Sequence, residues 1–131
     1  MVTSTYLLDT ATLIWAATQP EKLSAEARKI CASDGAHLMV SVVSLMELIV
    51  KVQKGKLSLA PDPLRWWNHN VSELGLSVLP LRQEHIEQLW TLPWVHRDPA
   101  DRLLIAQAIA EGVPLVSPDE AIGQYPVEVF W

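Results

Sequence analysis

The chain has 131 residues, 50% of them hydrophobic, and a formal net charge of −5. This composition excludes a disordered chain, and the apolar runs are too short to cross a membrane. We expect residues 1–131 to form a single domain, because this length suffices for one hydrophobic core. The first residues lack the basic start and apolar stretch of a signal peptide. Because the single cysteine, Cys31, cannot form an intrachain disulfide, we expect a cytoplasmic protein.

Predicted strands lie at residues 6–8, 37–43, 77–81, 114–117 and 127–131. Their apolar residues follow one another without alternating with polar ones, which is typical of strands covered on both faces of a sheet. Predicted helices lie between them, at residues 25–33, 63–73, 83–90 and 99–111. A further helix is predicted from the capping-box spacing of Ser44 and Glu47, and it ends before Gly55.

The starts and ends of these helices carry boundary residues. Potential N-caps precede three helices and glycines follow three: Ser24, Asp62 and Asp98 at the starts, and Gly55, Gly75 and Gly112 after the ends. Alternating strands and helices predict an α/β fold, with a mostly parallel sheet of four to five strands and helices on both faces.

Five carboxylates follow a predicted strand or begin the next helix: Asp9, Glu47, Asp98, Asp101 and Asp119. Taken singly, each is explained by helix capping or by the helix dipole, which favours acids in the first turn. Taken together, they lie where the carboxyl ends of parallel strands share one edge and ligands bind. We therefore expect these five acids to lie within a few ångströms of one another.

Such a cluster of acids needs a counter-charge. Two carboxylates about 5 Å apart repel by about 3 kcal/mol at an effective dielectric constant of about 20, and a helix dipole offsets only about 0.3–1 kcal/mol. Oxygen ligands without cysteine favour Mg²⁺ or Mn²⁺ over zinc, and the four histidines show no zinc-site spacing. The sequence thus predicts a divalent cation at this edge.

Four stretches of the chain resemble the PIN-domain ribonucleases, and most closely the VapC-type toxins of bacterial toxin–antitoxin pairs. They are "LLDT" at 7–10, "VSLMELIVKVQKGKL" at 43–57, "HRDPADRLLIAQA" at 96–108 and "LVSPDEAIGQYPVEVFW" at 115–131. The resemblance implies a three-layer α/β/α sandwich around a parallel sheet. It also implies RNA cleavage with Mg²⁺ or Mn²⁺, a cognate antitoxin that silences the enzyme, and a toxin homodimer.

The resemblance assigns roles to the five acids. Asp9, Glu47 and Asp101 match the first three family acids, Asp119 matches the more variable fourth, and Asp98 supports the metal site. The sequence departs from the family pattern at two positions. Ala100 stands where a phenylalanine is common, which we expect to alter packing, and Pro118 directly precedes Asp119, which makes the placement of that acid less regular.

The net charge argues against a nucleic-acid partner, since such proteins usually carry an excess of lysine and arginine. Without the five acids, however, 10 acidic residues face 10 lysines and arginines. The candidates for binding substrate phosphates flank the acids: Lys51, Lys54 and Lys56 after Glu47, and Arg97 and Arg102 beside Asp98 and Asp101. Lys51 could instead pair with Glu47 four residues earlier, and Arg102 could be a solvated helix residue.

The expected reaction is hydrolysis of an RNA phosphodiester by water activated on one or two metal ions. Asp9 and Asp101 would be primary ligands, Glu47 a ligand or base, and Asp119 and Asp98 supports. Two alternatives stay open. A Mg²⁺-dependent phosphoacceptor domain would need a lysine at the end of its last strand, which "VEVFW" lacks. A non-catalytic binding module on a similar fold is the other.

A last expectation concerns adjacent tryptophans. Trp66 and Trp67 lie about 100° apart on a helix, so we expect one of them to expose an edge to a partner.

Overall fold

Five short strands form one sheet in the computed structural model, which describes residues 4–95 and 98–131. The strands are β1 (Ser4–Leu8), β2 (Ala36–Ser41), β3 (Ser77–Leu79), β4 (Leu115–Val116) and β5 (Val129–Phe130). Their order is β3-β2-β1-β4-β5, and each neighbouring pair is parallel. The predicted parallel α/β sheet is therefore confirmed, and the strand order reverses between β1 and β4.

Helices connect these strands. They are α1 (Thr10–Thr18), α2 (Ala25–Ala32), α3 (Val42–Gln53), α4 (Pro63–Glu73), α5 (Gln83–Gln88) and α6 (Pro99–Glu111). Short 3₁₀ segments lie at Pro20–Lys22, Leu89–Thr91 and Glu120–Gln124. Within the described ranges, no helix is long and apolar enough to span a bilayer.

The sheet separates two hydrophobic clusters, because successive strand residues point to opposite faces. Leu8 packs with Leu13 of α1 and Leu48 of α3, whereas the adjacent Leu7 packs with Ile105 of α6. Helices thus cover both faces, in the predicted three-layer arrangement.

Two tryptophans of α4 belong to the first of these clusters. Trp66 and Trp67 are only 8% and 5% exposed. The prediction that one of them exposes an edge is wrong, because α4 presents both indoles to the same cluster.

The start of α3 differs from its prediction. Strand β2 ends at Ser41, whose Oγ accepts a hydrogen bond from Val43 N at 3.0 Å, so Ser41 is the N-cap. Val42 and Val43, predicted as the end of the strand, form the first turn of the helix. The capping box of Ser44 and Glu47 is consequently wrong, since both residues lie inside the helix.

Other boundaries follow the sequence closely. Ser24, Asp62 and Asp98 accept hydrogen bonds from the first turns of α2, α4 and α6, as N-caps do. Gly112 ends α6 with φ +67°, a left-handed conformation that favours glycine. The strands after β2 are shorter than predicted, and Pro80 follows β3 while Pro114 and Pro118 flank β4, each without a backbone N–H to donate to the sheet.

Candidate active site

Asp9 lies at the end of the central strand β1 and is the N-cap of α1. Its Oδ1 accepts from Thr12 N at 2.8 Å, and its Oδ2 accepts from the Ser117 hydroxyl at 2.5 Å. The Thr12 hydroxyl donates to Val116 O at 2.9 Å, which ties α1 to the end of β4. This acid is therefore held at the point where the strand order reverses, the usual place for a ligand in such sheets.

Asp119 follows β4 and is linked to Asp9 through one buried hydroxyl. Ser117, 1% exposed, accepts from Asp119 N at 3.1 Å while it donates to Asp9. Asp119 Oδ1 in turn accepts from Ala121 N at 3.0 Å as the N-cap of a 3₁₀ turn. Although Pro118 directly precedes it, Asp119 thus lies next to Asp9.

Glu47 is held by one hydroxyl from another helix. The Thr10 hydroxyl, at the start of α1, donates to Glu47 Oε1 at 2.5 Å, and Ser44 Oγ lies 2.8 Å from Thr10 Oγ1. Thr10 has one hydroxyl proton, so Ser44 is the donor to Thr10 when Glu47 is ionised. Ser44 and Glu47, predicted as a capping pair, thus share Thr10 instead.

The remaining two acids lie at the start of α6. Asp98 is its N-cap and accepts from Ala100 N at 2.8 Å and Asp101 N at 3.4 Å. Buried Ala100 packs with Val43 of α3, a contact between the helices that carry Asp101 and Glu47. Ala100, where the sequence departs from the family pattern, thus lies at the contact between α3 and α6.

Three hydroxyl residues of this site were missed by the sequence analysis: Thr10, Ser44 and Ser117. Two of them stand next to recognised acids, since Thr10 follows Asp9 and Ser117 precedes Asp119 by two positions. That proximity was the available signal, but their partners Glu47 and Asp9 lie 37 and 108 residues away along the chain.

The electrostatics show that the acids interact in two groups. Burial raises the pKa of Asp9, the hydrogen bonds from Ser117 and Thr12 lower it, and Asp119 raises it further. Burial also raises the pKa of Glu47; the Thr10 hydroxyl lowers it, Asp101 and Asp98 raise it, and Lys51 lowers it. Asp9, Asp98 and Asp119 are N-caps, and yet each also interacts electrostatically with another acid of the set.

These acids, called the acidic edge below, form a donor set suited to a hydrated divalent cation. Among the described residues, no three of the five bring carboxylate oxygens within 4.8 Å of one another, so their spacing is wider than expected. Mg²⁺ usually keeps several waters and binds one or two carboxylates directly, which fits this spacing. The buried carboxylates, whose charge is costly, supply the electrostatic reason for a cation there.

A second group of possible ligands lies at the opposite end of α6. Atoms of Glu84, His85 and Glu111 lie within 4.8 Å of one another. However, His85 Nδ1 accepts from Arg82 N at 3.0 Å, so the ring proton is on Nε2, which donates to Glu111 at 3.0 Å. Since a metal would have to displace that proton, this group is better explained as a hydrogen-bonded link between α5 and α6.

Basic residues border the acidic edge on one side. A groove of about 430 Å³, called the lysine groove below, is lined by Glu47, Lys51, Lys54, Lys56, Asp98 and Pro99, among others. Three of the predicted phosphate ligands, Lys51, Lys54 and Lys56, therefore share a groove with two of the acids. Arg97 lies outside the described residues.

Arg102 does not line the lysine groove. It is 7% exposed, its Nη1 donates to Pro93 O at 2.8 Å, and its guanidinium lies 4.3 Å from the centroid of the Trp94 ring. These contacts hold the guanidinium against the loop before α6. They differ both from the predicted contact with a substrate phosphate and from a solvated position on the helix.

Thr10→Val tests the hydroxyl contact to Glu47. The change keeps the side-chain shape but leaves a carboxylate oxygen without its donor, so we expect a loss of about 1–3 kcal/mol in unfolding free energy. The pKa of Glu47 should rise further, because the Thr10 contact lowers it. The acid limb of any metal-dependent cleavage should therefore move to higher pH. Thr18→Val, on the exposed end of the same helix, is the control, and an unmoved pH profile for Thr10→Val would contradict the assigned contact.

Comparison with known proteins places this geometry in a family. Residues 6–128 match the PIN domain family. Among curated proteins, no sequence is similar enough to count as a match. The fold is similar to that of three solved structures, which are VapBC2 from Rickettsia felis bound to a promoter DNA fragment, DNA-bound VapBC from Salmonella typhimurium, and VapBC-5 from Mycobacterium tuberculosis.

These likenesses extend over whole chains at low sequence identity. The Rickettsia structure has a TM-score of 0.73 at 16% identity and covers 96% of this chain and 97% of its own. The Salmonella structure has 0.69 at 19%, covering 97% of both chains, and the Mycobacterium structure 0.62 at 16%, covering 97% and 98%. The family match covers nearly the whole chain, and the protein belongs to the PIN domain family.

Proposed function

We propose that this protein is a metal-dependent endoribonuclease that hydrolyses RNA phosphodiester bonds. The observation that carries the proposal is that two groups of acids interact after the strands of the parallel sheet, Asp9 with Asp119 and Glu47 with Asp98 and Asp101. Thr10 connects the two groups, because it follows Asp9 in the chain and donates to Glu47. Helix capping accounts for three of these acids singly, but it does not account for Glu47, which lies inside α3, or for its interaction with Asp101 and Asp98.

We assign a role to each side chain of the acidic edge. Asp9 and Asp101 would hold Mg²⁺ or Mn²⁺, with Asp119 and Asp98 adding negative charge beside them. The cation, when bound, would supply an activated water as nucleophile and positive charge at the leaving oxygen. Glu47, whose pKa is raised by burial, is suited to accept a proton from the attacking water. Ser117 and Thr10 keep Asp9 and Glu47 oriented.

Metal dependence has a direct test. Purified protein should cleave single-stranded RNA in Mn²⁺ or Mg²⁺ and lose that activity in EDTA, with recovery when excess metal is returned. Activity that is undiminished in EDTA would overturn the metal mechanism.

The lysine groove is the part of the surface that we assign to RNA. Its lysines lie beside Glu47 and Asp98, where they would bind phosphates next to the scissile bond and offset the negative charge of the acidic edge. Lys51 also lowers the pKa of Glu47, so Lys54 and Lys56 are the cleaner probes of phosphate binding.

Replacing Lys54 and Lys56 with Gln should weaken RNA binding whatever the base sequence. The dependence of log K on log salt concentration should become shallower by about 0.7 for each phosphate that is no longer bound. Fluorescence anisotropy in an Asp101→Asn background, which is expected not to cut the RNA, measures this slope. Lys29→Gln on α2 is the matched control. An equal slope in the double variant would remove these lysines from the RNA path.

We further propose that the nuclease acts in the cytoplasm as the toxin of a toxin–antitoxin pair, as a homodimer held silent by a cognate antitoxin. The fold relatives described above are VapBC complexes, which supports this assignment. Expression of the chain alone in a bacterium should arrest growth, and co-expression of a small upstream partner should relieve the arrest. Harmless expression of folded, catalytically active protein would count against the toxin role.

A further inference from the structure

The lysine groove has an apolar side as well as a charged one. Besides the lysines and acids already described, Met46 and Val50 of α3 line it. Met46 is 48% exposed and Val50 39%, although both are large apolar side chains. Apolar side chains exposed inside a concave surface, with a few charged groups beside them, are typical of a ligand-binding groove. The groove therefore offers a ligand more than contacts to phosphate.

Helix geometry places the two chemistries side by side. Met46 and Val50 are four residues apart, so one lies above the other on the same face of α3. Glu47 and Lys51 form a second row with the same spacing. The rows lie about 100° apart around the helix axis, because each residue of the first directly precedes one of the second. Leu48, about 180° from the apolar row, is fully buried in the core and thereby turns that row outward.

A ribonucleotide offers the same two chemistries. Its phosphate is negatively charged, and the apolar faces of its base are open to contact only where the base is unpaired and unstacked. In a duplex, neighbouring bases cover those faces, and the narrow major groove keeps side chains away from the bases. Met46 suits a base face, since its thioether adapts its shape and contacts aromatic rings favourably. An apolar row beside a charged one thus fits an unpaired nucleotide.

We propose that Met46 and Val50 form a base subsite, on which one unpaired base of the RNA lies while the lysines bind its phosphates. The proposal rests on the nuclease function proposed above, and it adds a requirement for an unpaired base. Because Glu47 lies in the same groove, that base belongs to a nucleotide next to the scissile bond. Neither side chain has a strong hydrogen-bonding group, so the subsite distinguishes unpaired from paired RNA rather than one base from another.

Polar substitutions of similar size test the base subsite. Met46→Gln with Val50→Thr removes apolar surface and keeps the size of both side chains. In the Asp101→Asn background, fluorescence anisotropy should show that this double variant binds single-stranded RNA about tenfold more weakly. The slope of log K against log salt concentration should stay the same, because no phosphate contact is lost. The matched control is Leu64→Gln with Val78→Thr, the same two changes at exposed positions of α4 and β3, and its affinity should be unchanged.

Abasic RNA locates the contact on the ligand. In a series of oligonucleotides that each lack one base, one position should lower the affinity of the Asp101→Asn parent about tenfold. The double variant should bind that oligonucleotide as tightly as intact RNA, because the missing base and the changed side chains belong to one contact. RNA annealed to its complement should bind equally to the parent and the double variant. Met46→Leu, which keeps the apolar surface, should retain the parent's affinity.

Several outcomes would overturn the base subsite. Equal binding of single-stranded RNA by the parent and the double variant would remove the apolar row from the RNA path. An equal loss in the control with Leu64→Gln and Val78→Thr would mean that the effect is not specific to the groove. An abasic loss that persists in the double variant would place the base elsewhere. A double variant altered only in self-association or antitoxin binding would mean that protein covers the row. None of these results touches the nuclease proposal, whose tests measure cleavage in Mn²⁺ and EDTA.

Discussion

Asp9→Asn and Asp101→Asn should each lower RNA cleavage by about a thousandfold or more, while the fold persists. In Asp9→Asn the amide oxygen can still accept from Thr12 N, the amide nitrogen can donate to Ser117 Oγ, and asparagine caps a helix about as well as aspartate. Local structure should therefore survive. What disappears is the negative charge that would hold the cation. The measurement is the rate of cleavage in saturating Mn²⁺, with circular dichroism to verify folding.

The matched control for this prediction is Asp62→Asn. Asp62 is the N-cap of α4 and accepts from Arg65 N at 2.9 Å, so it undergoes the same change in the same local role away from the acidic edge. Its cleavage rate should equal that of wild type. If all three variants lost activity equally, or if none did, the acidic edge would not be the catalytic site. Growth arrest in a bacterium should follow the same ranking.

The second large effect expected is on stability, and Asp101→Asn should raise the melting temperature at neutral pH without divalent ions. The pKa of Glu47 is raised above its ordinary value of 4.5, first by burial and then by Asp101 and Asp98. The folded protein thus binds the proton more tightly than the unfolded chain does. The contribution of Glu47 to stability is fully present below its pKa in the unfolded chain and is lost as pH rises through its pKa in the folded protein. Asp9, whose pKa is raised above its ordinary value of 3.8, contributes in the same direction.

Removing the charge of Asp101 should recover part of the stability that is lost when Glu47 ionises. We expect a gain on the order of 1 kcal/mol after solvent screening, or a few degrees in Tm for a chain of this length. The wild type in EDTA should itself melt at a higher temperature at pH 5 than at pH 7, and the difference should be smaller in the variant.

Added metal should reverse this order, because it should stabilise wild type more than Asp101→Asn. Mn²⁺ at a hundredfold excess over Kd should stabilise wild type by about 2.7 kcal/mol, whereas Asp101→Asn should gain much less. Thermal melts of both proteins in EDTA and in Mn²⁺ give the comparison, with Asp62→Asn as a control that should respond like wild type. Identical metal responses in wild type and Asp101→Asn would mean that Asp101 has only a local role in α6.

Much of the fold could be predicted from the sequence because its determinants are local. An N-cap bonds to a residue two or three positions further along the chain, so Ser24, Asp62 and Asp98 could be assigned as N-caps from the neighbouring residues. The continuous apolar runs of the strands and their alternation with helices predicted a parallel sheet, and a parallel sheet places the residues after its strands at one edge. The acidic edge could be anticipated for that reason, before any contact within it was known.

Only the tertiary structure decided which side chains support that edge and which tryptophans are exposed. Ser117 contacts Asp9, and Thr10 contacts Glu47, across separations of 108 and 37 residues. Trp66 and Trp67 are buried while Trp90 and Trp94 are exposed. Ser41 rather than Ser44 begins α3, and Arg102 turns to Trp94 rather than to the lysine groove. Each of these outcomes depends on packing between elements distant in sequence, where the burial of one side chain is set by neighbours that local patterns do not contain.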